Sequence, residues 1–273
     1  MQNGCLQLYL IATLWAATGL PVAAQSLILR PEYSAGSIVN AASGKAGRIA
    51  PNTIISIYGT NLALSSWAIS PQELLSGYLP TSTPFGSVYV RLLGNRLPLF
   101  YVSPQQINAL MPANLLPGMR NVEVYRELVS GPLVSVLVQA EAPELFRVEE
   151  GFVAATHADG RVVTEESPAE EGEVIVMYGT GFGPLKVVEE GVVVPRRASE
   201  VARAREYRIR INSEEQPQQA ILYVGVTPGF AGLYQMNVKL PKPLTENPKV
   251  EIGVGANWSA DDLRVRTRKS ATL

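Results

Sequence analysis

The stretch Asn52-Thr-Ile-Ile-Ser-Ile-Tyr-Gly-Thr-Asn-Leu62 decides the fold, because it recurs later as Gly172-Glu-Val-Ile-Val-Met-Tyr-Gly-Thr-Gly-Phe182. In both places β-branched and apolar side chains run up to a tyrosine and end at a glycine. Such a run predicts a β-strand that stops at a turn. Its recurrence at an offset of 120 residues predicts that one structural module occurs twice in the chain.

A second repeated stretch supports the same interpretation. Leu99-Phe-Tyr-Val-Ser-Pro-Gln-Gln-Ile-Asn108 returns in pieces as Ile221-Leu-Tyr-Val, Thr227-Pro228 and Gln235-Met-Asn237. The order is the same as in the first copy, and the tyrosines of the two copies are 122 residues apart. We therefore predict two copies of one module, at residues 25–143 and 144–273, with a hinge at residues 140–144.

Both copies have the pattern of β-proteins. Short apolar runs alternate with Gly and Pro turns, and Asp159-Gly160 is a strong hairpin signal. Helical periodicity is almost absent, apart from one possible turn at Pro71 to Ser76. Strands separated by turns at a spacing of roughly 8–12 residues favour antiparallel sandwiches. The predicted fold class is all-β, with two tandem immunoglobulin-like antiparallel β-sandwich domains.

Composition excludes most chemistry-rich classes. The 273 residues include one His and one Cys, which argues against a zinc cluster, a Cys-His dyad or a disulfide framework. The net charge of −1 gives no overall field for binding nucleic acid. We therefore expect no metal, no cofactor and no nucleic-acid partner.

The N-terminal residues predict export. Residues 1–25 carry no charged side chain, and Leu8 to Ala17 is an apolar run followed by Val22-Ala-Ala24. Small residues at the first and third positions before a cut are typical of signal-peptidase sites, so residues 1–24 are a predicted signal peptide cleaved near Ala24. Cys5 would leave with it, and the mature chain has no other segment apolar enough to span a membrane. The expected location is secreted, periplasmic or cell-surface.

The repeated motifs carry a resemblance to known families. Ile57 to Leu62 and Met177 to Pro184 resemble the strand-turn signature of immunoglobulin-like IPT/TIG domains. Together with Ile38 to Ser43, Tyr101 to Asn108 and Pro228 to Asn237, they look like the Solibacter-type uncharacterised C-terminal domain family of secreted Acidobacteria proteins. That resemblance implies export and paired β-sandwiches, and it implies no activity, cofactor or catalytic residue.

Catalytic motifs are weak. The glycines at positions 179, 181 and 183 follow a strand but lack the G-x-G-x-x-G spacing and the helix of a dinucleotide site, so a turn that needs positive φ is the better interpretation. His157, near Asp159, is expected on the surface of a hairpin, and no G-x-S-x-G motif accompanies it. Clustered glutamates are expected to be solvated. The chain is predicted not to be an enzyme; an undetected hydrolase around His157 is the less favoured alternative.

Candidate ligand-binding residues are basic or aromatic. Residues 146–190 sum to −7 and residues 191–273 to +5, and Arg203, Arg205, Arg208 and Arg210 lie near alternate positions that we place on one strand face. They form either a basic patch for an acidic polysaccharide or arginines paired with the acidic segment. Exposed rings can stack on sugars, and loop aromatics can equally close a sandwich end. The aromatic candidates are Trp67, Tyr78, Phe85 and Trp258.

The main functional prediction is a secreted, non-enzymatic protein for adhesion, surface assembly or ligand binding, with an extracellular protein or a polysaccharide as partner. The alternative is a carbohydrate-binding module that uses Trp67, Tyr78 or Trp258, with Arg208 and Arg210 as further candidates. A separate set of motif residues is expected to hold the fold together: Tyr58, Gly59, Gln106, Asn108, Tyr178, Gly179, Gly181, Gln235 and Asn237.

Overall fold

The computed structural model describes residues 29–75, 77–149, 151–188 and 193–268. The predicted leader, residues 1–24, lies outside these ranges. The regular structure is almost all strand, arranged in antiparallel sheets, so the all-β prediction is confirmed. The one α-helix in the described ranges, α1, is a single turn at Pro71–Leu75, where the sequence predicted one. Among the described residues, no helix is long and apolar enough to cross a membrane.

The N-terminal half forms two five-stranded sheets, in the orders β1-β2-β7-β6-β3 and β10-β8-β4-β5, with β9 paired to β8. Short 3-10 turns at Ala35–Ser37 and Pro84–Gly86 accompany them. The strands are β1 (Ile38–Asn40), β2 (Ile54–Tyr58), β3 (Trp67–Ala68), β4 (Val88–Leu92), β5 (Asn95–Arg96), β6 (Leu99–Val102), β7 (Gln106–Leu110), β8 (Gly118–Arg126), β9 (Val129–Ser130) and β10 (Val134–Val138).

The C-terminal half repeats this arrangement in the sheets β11-β15-β19-β18, with β14 on β15, and β17-β16-β20-β21; β12 and β13 form a separate pair. It has 3-10 turns at Ala204–Glu206 and Gln218–Ala220. The strands are β11 (Glu144–Leu145), β12 (Arg147–Glu149), β13 (Phe152–Val153), β14 (Ala155–His157), β15 (Val174–Thr180), β16 (Tyr207–Ile211), β17 (Glu214–Glu215), β18 (Ile221–Val226), β19 (Tyr234–Lys239), β20 (Val250–Val254) and β21 (Asn257–Trp258).

The repeated motifs pair in the same register in both halves. Tyr58 on β2 lies opposite Gln106 on β7, and Tyr178 on β15 lies opposite Gln235 on β19. The next strand pairs, β6–β7 and β18–β19, each contain a β-bulge just before the repeated tyrosine. A shared bulge is a specific feature of a strand pair. The sequence repeat is therefore also a repeat of strand pairing.

The Gln-x-Asn motif has a local role in both halves. The amide of Gln106 donates to the Oδ1 of Asn108 at 2.8 Å, and Gln235 donates to Asn237 at 2.9 Å. Asn108 also accepts from the hydroxyl of Ser56, at 2.9 Å, on the neighbouring strand β2. These half-buried side chains satisfy one another on the outer face of the sheet.

Two of the motif glycines are required by close approach. A Cβ on Gly59 would lie 2.2 Å from the carbonyl oxygen of Glu32, and one on Gly179 would lie 2.3 Å from that of Glu144. Neither has positive φ, whereas Gly181, with φ of 78°, does. The expected positive-φ turn therefore begins at Gly181. Gly179 serves to admit the neighbouring backbone.

Each half is a sandwich with its own core. Strand residues alternate inward and outward, and inward side chains from both sheets of a half meet in one buried cluster. The N-terminal cluster draws on residues 38–138 and the C-terminal one on residues 145–265. A small third cluster lies between the halves and consists of Leu79, Leu110, Val194 and Ala231.

The segment expected to be a hinge is instead buried. Residues 141–145 are all buried, and the side chain of Glu144 is 2% exposed. Its Oε1 pairs with Arg48 at 2.8 Å, while Oε2 accepts from the amide of Ala260 at 3.1 Å. Arg48 also donates to the carbonyl oxygen of Trp258 at 2.7 Å. A buried segment that is bonded to both halves does not act as a flexible connection, so the hinge expectation is wrong.

Candidate functional site

A cleft opens at one end of the N-terminal sandwich, where the loops connecting its two sheets meet. Its walls come from residues 63–67, 83–88 and 126–127, and its volume is about 370 Å³. We call it the open-end cleft and define it by Ser65, Trp67, Thr83, Phe85, Arg126 and Glu127. The ends of a sandwich are where connecting loops gather, so rigid strands hold this cleft in place.

Trp67 forms one wall of the open-end cleft. It lies on β3, a two-residue edge strand in which Trp67 pairs with Val102 of β6. Its indole is half-buried and packs against the N-terminal core. Of the aromatic candidates, Trp67 is thus anchored on its inner side and lines the cleft with the rest of its surface.

Phe85 also lines the open-end cleft. It is 106% exposed, and its φ of 61° lies in the left-handed region that a bulky residue rarely adopts. The turn around it is fixed by Thr83, whose hydroxyl lies 2.8 Å from that of Ser87 and accepts from the amide of Val88 at 2.9 Å. A strained, fully exposed aromatic side chain held by a bonded turn is typical of functional sites.

Arg126 forms the floor of the open-end cleft. The alternation of β8 turns it inward, onto the core face, and it is 7% exposed. Its Nη1 donates to the carbonyl oxygen of Asn61 at 3.2 Å, and its Nη2 donates to that of Leu29. Its Nε is buried without an acceptor. No carboxylate in the described ranges pairs with this guanidinium.

The sequence analysis missed Arg126, although the signal was present. The run Val122-Glu-Val-Tyr-Arg126 alternates apolar and polar residues, which places Arg126 on the buried face with Val122 and Val124. Charged residues are rarely buried without a partner, so an arginine in a core register is itself a functional signal.

Trp258, Arg208 and Arg210 are brought together on the outer face of the C-terminal sandwich. The guanidinium carbons of Arg210 and Arg208 lie 3.7 and 4.8 Å from the centroid of the Trp258 ring. A Cβ built on Gly253 would be only 2.5 Å from that ring. One face of the indole is therefore covered by arginine and the other by the strand, which leaves little ring face for a sugar.

The basic candidates are mostly paired with acids. Arg208 lies 3.4 Å from Glu215, and Arg210 lies 3.8 Å from Glu251. The expectation that four alternating arginines share one strand is wrong, because Arg205 belongs to the 3-10 turn that precedes β16. Further along the chain the same pairing holds, for example between Arg266 and Glu149 at 2.6 Å. The pairing interpretation fits these residues better than a free basic patch.

Tyr78 is exposed, and it is not among the residues that line the open-end cleft. It follows α1 on the side of the N-terminal sandwich that faces the C-terminal half, beside the buried Leu79 of the cluster between the halves. The structure therefore brings together Trp67 and Phe85 but not Tyr78.

His157 is buried, contrary to the expectation of a surface hairpin residue. Its Nδ1 lies 2.5 Å from Glu173, and its Nε2 lies 3.1 Å from both the hydroxyl and the carbonyl oxygen of Ser167. This is the atom order of a Ser-His-Glu triad. The carbonyl oxygen can only accept a hydrogen, so its contact favours a proton on Nε2, whereas a general base needs that nitrogen free. The contacts tie together strand β14 and the loop before β15.

A metal site does not emerge from the described residues, in which no three His, Cys, Asp or Glu side chains converge. Glu165 belongs to the clustered glutamates that were expected to be solvated, and it is exposed. Glu173 lies outside those clusters; it holds His157 and also accepts from the amide of Glu170 at 2.9 Å through its second oxygen. The acidic side chains thus serve local structure here.

No protein-family profile matches the chain, and no curated protein matches it. Among solved structures, the chain is similar to surface glycan-binding protein PbSGBP-B from Prevotella bryantii, with 11% identity and a TM-score of 0.27 over 86% of this chain and 42% of that one. It is also similar to the extracellular region of Plexin A4, with 11% identity and a TM-score of 0.28 over 94% and 20%.

A third likeness is to SGBP-B from a complex xyloglucan utilization locus in Bacteroides uniformis, with 10% identity and a TM-score of 0.24 over 87% of this chain and 49% of that one. The chain spans less than half the length of each of these proteins. At such TM-scores these likenesses carry no argument about function.

Proposed function

We propose that this protein is a non-catalytic carbohydrate-binding protein and that the open-end cleft is its binding site. The observation that carries the proposal is the convergence of Trp67, Phe85 and Arg126 on one cavity of about 370 Å³. Cavities that hold small ligands are usually about 300–1,000 Å³ and combine apolar walls with a few fixed polar groups.

The chemistry of the cleft fits a sugar. A pyranose ring has an apolar face of C–H groups, which packs on flat aromatic side chains, and a rim of hydroxyls, which needs hydrogen-bonding partners. Trp67 and Phe85 supply the aromatic surfaces. Ser65, Thr83 and Ser87 line the same cavity. The hydroxyls of Thr83 and Ser87 bond each other within the turn, and the hydroxyl of Ser65 can both donate and accept. The bonds of Thr83 to Ser87 and to the amide of Val88 fix the turn that carries two of these residues.

The wider assignment belongs to the same proposal. We regard the two sandwiches, at residues 25–143 and 144–273, as tandem immunoglobulin-like domains of the IPT/TIG type, in a secreted protein of the Solibacter-type C-terminal domain family. The shared strand register of the Tyr-Gly and Gln-x-Asn motifs supports the domain assignment. The uncharged, apolar N-terminal residues support export.

A non-enzymatic role is supported by the environment of His157. The ring is 7% exposed and contacts the carbonyl oxygen of Ser167, so a substrate would have little access to it. A glycosidase needs two carboxyl groups that face each other at a defined distance, and adjacent glutamates such as Glu189-Glu190 in the sequence do not indicate such a pair. Binding without bond breaking is the simpler function for the cleft.

The test is binding of the full chain to an array of polysaccharides, followed by titration calorimetry on those that bind. Trp67→Ala and Phe85→Ala are each expected to weaken binding about tenfold or more, because each removes an aromatic surface from the sugar. Tyr78→Ala and Trp258→Ala are matched controls that remove an aromatic ring outside the cleft, and they are expected to bind normally. Equal losses in all four variants, or no glycan bound by the wild type, would contradict the proposal.

A further inference from the structure

We propose that the saccharide bound in the open-end cleft carries a carboxylate, as a uronic acid does, and that Arg126 binds this group. The inference rests on the proposed function, since it names the chemical class of the ligand for the same site. It starts from the charge of Arg126, which neither the fold nor a neighbouring acid accounts for.

The guanidinium of Arg126 is a buried charge without a counter-charge. Its side chain is 7% exposed, and the ion pairs in the described ranges do not include it. Buried charges are usually paired, because an ion loses its hydration when it is removed from water. In this chain the other strongly buried charges follow that rule: Glu144 pairs with Arg48 at 2.8 Å, and Glu141 pairs with Arg203 at 3.1 Å.

The neighbours of Arg126 leave donor capacity unused. A guanidinium has five N–H groups, and the two hydrogen bonds of Arg126, to Asn61 and Leu29, both go to neutral carbonyl oxygens. The Nε has no acceptor at all. Carboxylates bind arginine through two parallel N–H···O bonds, so a carboxylate supplies both the missing acceptor and the missing charge.

The fold does not require an arginine at this position. Arg126 pairs with Val88 across β8 and β4, and the corresponding pair in the C-terminal sandwich is Val254 with Tyr207. Val254 is 1% exposed and apolar. In the C-terminal half, the same place in the same topology is therefore filled by an ordinary core residue.

Glu127 is the acidic group on the cleft wall, and it opposes an anionic ligand. Its side chain is exposed. Its backbone, with φ of 56°, leaves the extended conformation of β8, which ends at Arg126. Exposed charges are screened by water and salt much more than buried ones. The buried Arg126 therefore dominates the potential inside the cleft, while Glu127 weakens it at the rim.

The experiment compares tri-galacturonate with its methyl ester, and repeats the comparison with oligomers of glucuronate and alginate. Esterification keeps the sugar ring and removes its charge. Both ligands are therefore compared on the same wild-type protein, and the result does not depend on the folding of a variant. Binding of at least one acid, about tenfold or more tighter than its ester in calorimetry, is the expected result. A sulfated oligosaccharide bound tighter than every uronate would overturn the assignment to a carboxylate.

Variants then locate the effect. Arg126→Gln is expected to bind acid and ester equally, Arg126→Lys to retain part of the preference, and Glu127→Gln to raise it. Arg91→Gln is the matched control, because Arg91 lies on the outer face of the same sheet over the Tyr125 ring, at 5.2 Å. It is expected to bind like the wild type.

Two outcomes separate this inference from the proposed function. Binding of neutral glycans that depends on Trp67 and Phe85, without preference for any acid, would overturn the inference and leave the proposed function standing. Binding of no glycan, acid or neutral, would overturn the proposed function itself.

Discussion

The two sandwiches have the same topology but close their corresponding ends differently. In the C-terminal half, Tyr207 on β16 is fully buried and donates to the carbonyl oxygen of Phe182 at 2.6 Å. The ring of Phe182 lies 5.7 Å from that of Tyr207 and 5.2 Å from that of Tyr234. In the N-terminal half Val88 occupies the place of Tyr207, and the end opens into the cleft.

A cleft can therefore form in this topology without new secondary structure. A valine in place of a tyrosine frees space between the sheets, and the cross-strand partner changes from Val254 to Arg126. The pairing register is unaffected, because strand pairing depends on backbone groups and side-chain alternation. One end is therefore closed by buried aromatic rings, and the other is open and is the site of the proposed binding.

The largest expected effect is at the closed end. Tyr207→Ala removes a fully buried ring and a buried hydrogen bond, so it should lower the free energy of unfolding by about 3–5 kcal/mol. Urea unfolding followed by fluorescence measures this change. Val88→Ala at the open end is the matched variant and should lose much less, about 1 kcal/mol, because it removes only two methyl groups beside an existing cavity. Equal losses would remove the distinction between the two ends.

The next largest effect on stability is expected at the ion pair of Arg48 with Glu144, which connects the two halves. Arg48→Ala leaves the carboxylate of Glu144, 2% exposed, without its cation and should lower the free energy of unfolding by about 3 kcal/mol. Chemical denaturation of Arg48→Ala and of Arg48→Ala/Glu144→Gln measures it. The double variant should recover part of the loss, since it no longer buries a charge. Failure to recover would mean that the loss comes from the other contacts of Arg48.

Alkaline pH should affect both halves alike. Burial raises the pKa of Tyr33 in the N-terminal half and of Tyr223 in the C-terminal half, each from 10.0 to about 12. A raised pKa means that the folded state retains the proton longer than the unfolded state. Their contribution to stability is full below pH 10 and is lost as pH rises from about 10 to about 12. Unfolding curves of Tyr33→Phe and Tyr223→Phe should depend less steeply on pH in this window.

The smallest effect on stability, and the sharpest contrast with function, is expected for Arg126→Val. This change gives the N-terminal half the apolar side chain of Val254 and removes an unpaired buried charge, but it also removes the donor to the carbonyl oxygens of Asn61 and Leu29. Because these effects oppose each other, the free energy of unfolding should change by no more than about 1 kcal/mol. Binding of uronate oligomers should be lost at the same time. Thermal unfolding and calorimetry on one preparation measure both. A large loss of stability would show that Arg126 serves the fold.

Much of the fold could be predicted from the sequence, because strand alternation and the repeated Tyr-Gly and Gln-x-Asn motifs depend on local geometry. Contacts between residues that are far apart in the sequence could not be predicted. Burial of Glu144 depends on Arg48, 96 residues away in the chain, so a Pro- and Glu-containing segment looked like a solvated hinge. His157 looked exposed for the same reason, since its partners Glu173 and Ser167 come from a later loop.

In the candidate site, too, the residue types could be predicted from the sequence, whereas their placement depends on long-range contacts. Trp67 and Phe85 could be named from their place in a long loop, but whether two loop residues face one cavity depends on the turn at Thr83. Trp258 was named by the same reasoning and lies under Arg210, because a glycine across the strand pair lets its ring lie flat. Ring type alone does not distinguish an open surface from a covered one.

The bonded segment between the halves has a mechanical consequence. Under the proposed function, a saccharide chain seated in the cleft would pull on the N-terminal sandwich, and the bonds of Arg48 to Glu144 and to the backbone of Trp258 would pass that force to the C-terminal sandwich. Several bonds would then share the load that a single flexible connection would otherwise carry alone.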